Sequence, residues 1–140
     1  MRLMSFTDYG LRMLMRMASE PGRVFSTAEL SGEFGLPRNH LIKIIQRLSR
    51  GGLVETRRGS GGGAVMARDP DTIRIGDVVR LLEEGQAMVQ CFSAGNGLCT
   101  IESCCRLKVR LRSAETAFLN ELNRSTLADI AFAPSERTAA

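Results

Sequence analysis

Along the N-terminal segment, Leu11, Leu14 and Ala18 recur at helical spacing, with Met13 and Met17 on an adjacent stripe. Arg12 and Arg16 fall together on the remaining strip, the polar side of the pattern. Thr7 is the expected N-cap, with Asp8 in the first turn where a carboxylate favours the helix dipole. Glu20-Pro21-Gly22 ends this helix. Ser26-Thr27-Ala28-Glu29 has capping-box spacing and opens a short helix that runs to Phe34 and stops at Gly35. Pro37 starts a longer helix that reaches about Arg50, where Gly51-Gly52 closes it.

Two helices joined by a tight glycine-containing turn predict a helix-turn-helix. In the second helix Leu41, Ile45 and Leu48 form a buried stripe, and His40, Lys43, Arg47 and Arg50 form a polar one. Apolar contacts hold such a helix while its exposed side chains reach phosphates and base edges. Leu53 to Arg57 then reads as a strand and Ala64-Val65-Met66 as its partner. Between them Arg58-Gly59-Ser60-Gly61-Gly62-Gly63 makes a slim, basic tip that suits a groove. A phosphate cradle is rejected, because no Gly-Lys-Ser/Thr occurs and no helix follows at the required offset.

Asp69-Pro70-Asp71 predicts a turn, and Ile75, Val78, Val79 and Leu82 mark a helix from Ile75 to about Glu83. Residues 84–104 look irregular, loosened by Gly85, Gly95, Asn96 and Gly97. From about Cys105 to Asn123, Leu107, Leu111, Ala114, Phe118 and Leu122 approach a heptad seam, which suggests a dimer helix. The alternative is a helix packed back onto its own domain. The expected fold is mainly α: a winged helix-turn-helix with a two-stranded β wing and a long C-terminal dimerisation helix. Its parts are a DNA-binding domain (1–83), a cysteine-containing loop (84–104), the dimerisation helix (105–131) and a frayed tail (132–140).

The 140 residues are 44% hydrophobic, enough for one domain with a real core. No apolar run is long enough for a membrane span, and Asp8, Arg12 and Arg16 interrupt what would be a signal peptide, so a cytoplasmic protein is expected. Residues 1–70 carry 11 basic and 6 acidic side chains, against 8 and 9 in residues 71–140. Most of that excess lies within residues 38–58, which points to a phosphate-rich partner such as double-stranded DNA. The expected DNA contacts are Arg38, Asn39, His40, Lys43, Arg47 and Arg50 from the helix, and Arg57, Arg58, Ser60 and Gly61 from the wing.

Cys91, Cys99, Cys104 and Cys105 are the chain's four cysteines, all within one short stretch. Such a cluster in an intracellular protein points to metal binding or redox sensing. Cys91, Cys99 and Cys105 are separated by seven and five residues, loose spacing that suits an iron–sulfur cluster. Structural zinc favours tight pairs such as CxxC, which are missing here, but zinc and a thiol switch stay open. Adjacent Cys104 and Cys105 are not expected to reach one cluster together. No enzyme is expected, because the sole histidine, His40, has no cysteine or paired carboxylate near it in sequence.

Several short motifs together resemble one family. They are Met1-Arg2-Leu3 with Phe6-Thr7-Asp8-Tyr9-Gly10-Leu11-Arg12, then Arg38-Asn39-His40, Arg58-Gly59 with Gly62-Gly63, and Ile75-Gly76-Asp77-Val78-Val79. The family is that of the iron–sulfur winged-helix regulators, which includes the iron–sulfur assembly regulator IscR, the iron regulator RirA and the nitric-oxide-sensitive repressor NsrR. Cys105-Arg106-Leu107-Lys108, Leu119-Asn120-Glu121-Leu122 and Thr126-Leu127-Ala128-Asp129 resemble the nitric-oxide branch most. The likeness covers about residues 1–131. It implies a homodimeric repressor of an inverted-repeat operator, with one 2Fe-2S (alternatively 4Fe-4S) cluster per subunit and nitric oxide as the signal. It assigns the ligands to Cys91, Cys99 and Cys105, with Asp8 completing the set from the other subunit. The assembly-regulator branch has a histidine where Lys108 stands here. The seven-residue first spacing and the extra Cys104 depart from the family pattern. The rival expectations are an iron- or redox-sensing regulator of the same fold using zinc or a thiol switch, and a cluster-carrying redox protein.

Overall fold

A computed structural model of the chain describes residues 2–93 and 99–132. Six α-helices and one hairpin follow in the order α1 (Ser5–Ala18), α2 (Thr27–Phe34), α3 (Arg38–Arg50), β1 (Val54–Arg57), β2 (Gly63–Met66), α4 (Ile75–Leu82), α5 (Arg106–Leu122) and α6 (Leu127–Ile130). Single 3-10 turns lie at Pro70–Thr72, Gln90–Phe92 and Glu102–Cys104. The expected mainly helical winged fold is present. Gly95, Asn96 and Gly97 lie outside the described residues, as does all of the expected frayed tail beyond Phe132.

Local signals set α2 and α3. The Ser26 hydroxyl accepts the Glu29 N–H at 3.1 Å, and Gly35 ends α2 in the left-handed conformation at φ 60°. Leu41, Ile44, Ile45 and Leu48 then hold α3 in the core, one residue more than the expected stripe. They meet Met13, Leu14 and Met17 of α1, Leu30 of α2, and Val78 and Leu82 of α4, with Phe25 and Leu127 completing the interior. Each such fully buried side chain contributes about 1.5–3 kcal/mol relative to exposure.

β1 and β2 pair antiparallel, Val54 opposite Met66 and Arg57 opposite Gly63. The wing has a third partner that sequence patterning missed. Phe25 donates its N–H to the Ala64 carbonyl at 2.8 Å and accepts the Ala64 N–H at 2.9 Å. This bridge ties the hairpin to the residue that precedes the α2 cap. It also explains Gly63, where a Cβ would lie 2.0 Å from the Phe25 carbonyl oxygen.

Two expectations about α1 need correction. Thr7 is not the N-cap of the first helix: α1 begins at Ser5, and Thr7 is fully buried with its hydroxyl donating to the Glu83 carboxylate. Arg16 does not share a polar strip with Arg12. It is 3% exposed, because Glu33 and Glu20 accept its N–H groups at 3.0 and 3.1 Å and the Phe25 ring lies 4.6 Å from its guanidinium carbon. At about 100° per residue the heptad positions of the last helix all fall on one side of α5, but they differ in burial along it. Leu111, Phe118 and Leu122 are half-buried, whereas Leu107 is 63% exposed and Ala114 is also exposed.

Segment 105–131 is two elements and not one long helix. After α5 the chain turns, Ile75 donates its N–H to the Ser125 carbonyl at 3.2 Å, and Leu127 donates to the Ile73 carbonyl at 2.8 Å. Leu127 is wholly buried against the domain core, so α6 packs as part of the DNA-binding unit. Thr126 and Asp129 cap it reciprocally. α5 is fixed to α4 at the same end: Asn123 Oδ1 accepts the Asp77 N–H at 3.0 Å, and Gly76 has no room for a Cβ beside the Leu119 carbonyl. Among the described residues no helix is long and apolar enough to cross a membrane.

Candidate nucleic-acid interface and cysteine segment

At about 100° per residue, the face of α3 opposite its buried stripe carries Asn39, Lys43, Gln46 and Arg50. All four are exposed, as are Arg38 and His40 at the N-terminal end. Arg57, Arg58, Ser60 and Gly61 are likewise exposed on the wing. The wing turn closes through a Gly62 N–H to Gly59 carbonyl bond of 3.0 Å, with Gly59 and Gly61 at φ 95° and 76°. Those angles favour glycine, and they keep the tip slim.

Between α3 and the wing runs a cleft of about 500 Å³, edged by Thr27, Arg38, Gln46, Thr56 and Arg57 and floored by Ile42. Thr27, Gln46 and Thr56 were not expected here. Spacing admits Gln46, three residues after Lys43 and four before Arg50, but charge marks Arg47 instead. Arg47 is the one expected contact turned away from this surface. Its Nη1 donates to the Leu81 carbonyl at 3.1 Å and lies 3.3 Å from the Glu84 carboxylate, both at the end of α4.

The described cysteines are free thiols, Cys91 and Cys105 half-buried and Cys99 and Cys104 exposed. Cys91 sits in the Gln90–Phe92 turn, which reaches α5 because the Arg112 guanidinium lies 4.3 Å over the Phe92 ring. Cys105 is the N-cap residue of α5, and an ion pair between Glu102 and Lys108 folds the preceding turn onto the helix. That hydrogen bond is the main cause of a raised Lys108 pKa, with a smaller Coulombic contribution from Cys91 in its thiolate form. Cys91 and the first turn of α5 therefore share one end of the molecule. Cys104 makes only a weak Sγ contact with the Ile101 carbonyl, at 3.5 Å.

Asp8, half-exposed on α1, pairs with Arg12 one turn on, at 2.9 and 3.0 Å. Among the described residues no three His, Cys, Asp or Glu side chains converge as a metal-binding group. The expected set of Cys91, Cys99, Cys105 and Asp8 is thus not gathered within the described part of one subunit. Its chemistry still suits iron, since three thiols are the usual protein donors to an iron–sulfur cluster and a carboxylate can supply a fourth.

A helix-turn-helix with an exposed basic face, backed by a core and flanked by a glycine-tipped basic hairpin, defines a winged-helix DNA-binding protein. The chain belongs to the Rrf2 family of iron-dependent transcriptional regulators, whose model matches residues 3–133. It is accordingly a transcriptional regulator and not an enzyme. Among solved structures it is similar to the oxidized form of CymR from Staphylococcus aureus, at 26% identity and a TM-score of 0.71 over 94% of this chain and 96% of that one. It is similar to T. potens IscR at 26% identity and a TM-score of 0.69, over 93% and 85% of the two chains. CymR of B. subtilis, described as its global cysteine regulator, matches at 26% identity and a TM-score of 0.66, over 94% and 96%.

Proposed function

We propose that this regulator is a homodimeric repressor that senses nitric oxide through an iron–sulfur cluster held by Cys91, Cys99 and Cys105, with Asp8 supplied by the partner subunit. The observation that carries the reading is the position of the thiols. They lie on the segment that leads out of the DNA-binding unit at α4 and into α5, so a change at the cysteines acts on the link between the two. The family's iron dependence supports iron as the metal. Resemblance of the Cys105-Arg106-Leu107-Lys108 and Leu119–Leu122 stretches to the nitric-oxide branch supports the signal. Two or four irons both suit three cysteines and one further ligand.

In this reading α3 enters the major groove of each half-site, where Asn39, Lys43, Gln46 and Arg50 face the base edges and phosphates. Arg57 and Arg58 bring the wing to the neighbouring minor groove. A bound cluster supplies iron centres that nitric oxide ligates. Cys91 and Cys105 hold the two ends of the segment in one arrangement while they remain ligands, and Asp8 ties α1 of one subunit to the other. Loss of these ties leaves the segment and α1 free to change the separation of the two α3 helices. A hundredfold loss of affinity needs only about 2.7 kcal/mol.

A thiol switch is the second reading, favoured by the exposed Cys104 beside Cys105 and by the likeness to an oxidized cysteine regulator. One measurement separates the two: the absorption spectrum of anaerobically purified protein, with iron, sulfide and zinc counted per chain. A brown protein with matching iron and sulfide is expected. Colourless protein with zinc, or with neither metal after reconstitution has been tried, overturns the cluster and favours zinc or the thiol switch respectively.

A further inference from the structure

The end of α4 is a junction for α1, α3 and the cysteine segment. From α3, Arg47 Nη1 reaches the Leu81 carbonyl at 3.1 Å, the Glu84 carboxylate at 3.3 Å and the Glu84 carbonyl at 3.5 Å. The Phe6 ring of α1 lies 5.9 Å from the same guanidinium carbon. α3 also closes on Leu81 at its last turn, where a Cβ on Gly51 would meet a Leu81 methyl at 2.2 Å. α1 grips the junction through Glu83, whose carboxylate accepts the Met4 N–H at 2.9 Å and the Thr7 hydroxyl. Thr7 directly precedes Asp8, and the chain runs from Glu84 to Cys91 through a short linking segment.

Carbonyls at a helix C-terminus lack intrahelical donors and carry partial negative charge, so a guanidinium is a fitting partner. Arg47 is thereby held on the α4 side of its helix, away from Lys43, Gln46 and Arg50. We infer that Arg47 is a positioning residue that couples the cysteine segment to the recognition helix and makes no contact with DNA. This coupling presupposes the reading above, in which the state of the cysteines governs operator binding. A pull on the segment after Glu84, or a shift of α1 acting on Glu83, moves the acceptors that Arg47 holds, and α3 moves with them. Small displacements suffice, because hydrogen bonds to base edges tolerate only a few tenths of an ångström.

The test compares full-length wild type with Arg47→Met, Arg47→Lys and Arg50→Gln, each reconstituted with iron and sulfide and each stripped of them. Operator affinity is measured across a salt series for both forms. Arg47→Met is expected to keep the wild-type salt slope, whereas Arg50→Gln lowers it by about 0.9. The affinity ratio between loaded and stripped wild type, about 5- to 150-fold for ordinary coupling, is expected to fall below about threefold in Arg47→Met. Arg47→Lys, which keeps a donor for the Leu81 carbonyl, recovers part of it. Should thermal melting show Arg47→Met unfolded, Glu84→Gln removes only the charged arm and is expected to give an intermediate ratio. A salt slope lowered in Arg47→Met makes Arg47 a phosphate contact and overturns the inference. An unchanged ratio in folded Arg47→Met, or in Glu84→Gln, overturns the coupling and leaves the sensor reading standing. A wild-type ratio of one overturns both.

Discussion

Arg16 is a charged side chain buried in the core. Taking a guanidinium out of water costs several kcal/mol unless partners replace the lost hydration. Glu33, Glu20 and Ser19 supply most of that replacement, although among the described residues Nη2 finds no hydrogen-bond partner. Arg23 lies over the same Phe25 ring at 4.6 Å and pairs with Glu20 and Glu29, so two arginines brace the residue that bridges to the wing. Arg23 foremost, and Arg16 after it, hold the Glu20 carboxyl below its usual range. Arg16→Met is expected to lower stability by about 2 kcal/mol, and Arg16→Lys to rescue little, because one ammonium nitrogen cannot stand where both Nε and Nη1 meet their separate carboxylates; thermal melting checks both. At the other end of the chain, the Thr126 backbone N–H lowers the Asp129 pKa below its ordinary 3.8 by bonding the charged form. A lowered folded pKa means that this capping contribution is present at neutral pH and is lost as pH falls through the folded value. The Thr126 amide resonance is therefore expected to titrate with a midpoint below 3.8. The Thr126–Asp129 spacing is a local capping signal, but the burial of Arg16 was not legible in advance. A buried arginine and a surface one look the same in a helical pattern until Glu33 and Phe25 arrive from another part of the chain.

α2, α3 and the wing were readable because the signals that bound them are local. Ser26 and Glu29, Gly35, Pro37 and Gly51 lie within a turn of the boundaries they set, and steric or capping preference acts at that range. The start of α1 was not readable, because no side chain of its own caps it and the acceptor for the Met4 N–H is Glu83, just past the end of α4. The wing lies between these cases. Its two strands have four residues each, and a lone hairpin of that size is marginal in water, so the Phe25 bridge and the burial of Val54, Ala64 and Met66 in the core secure it. Arg57 and Arg58 thus stand on an anchored hairpin. Replacing either with Gln is expected to weaken binding to all DNA sequences alike and to flatten the salt dependence by about 0.9 per lost phosphate contact. A salt titration with operator and random duplex checks this, and an unchanged slope removes that arginine from the interface.

In the whole molecule, the apolar side of α5 is covered unevenly: Leu111, Phe118 and Leu122 are half-buried, while Leu107 at its start is 63% exposed. The uncovered start of that side is where a second subunit would bury apolar surface, and in the proposed dimer Asp8 of one subunit meets the cysteines of the other. Asp8→Ala is therefore expected to keep operator binding by the loaded protein and to blunt its release by nitric oxide. A DNA-shift titration with a nitric oxide donor reads both, and a wild-type response in the variant removes Asp8 from the ligand set. Periodicity, caps and composition sufficed for the winged architecture, for the basic recognition surface and for the cysteine segment, because each depends on neighbours within a few residues or on residue type alone. The tertiary fold decided which polar side chains stay outside. It drew Arg16 into the core, turned Arg47 from the DNA face to α4, left the start of the α5 heptad uncovered and returned α6 to the domain. Those outcomes depend on partners distant in sequence, and an arginine at the border of a helical face goes wherever packing offers it acceptors that water does not better.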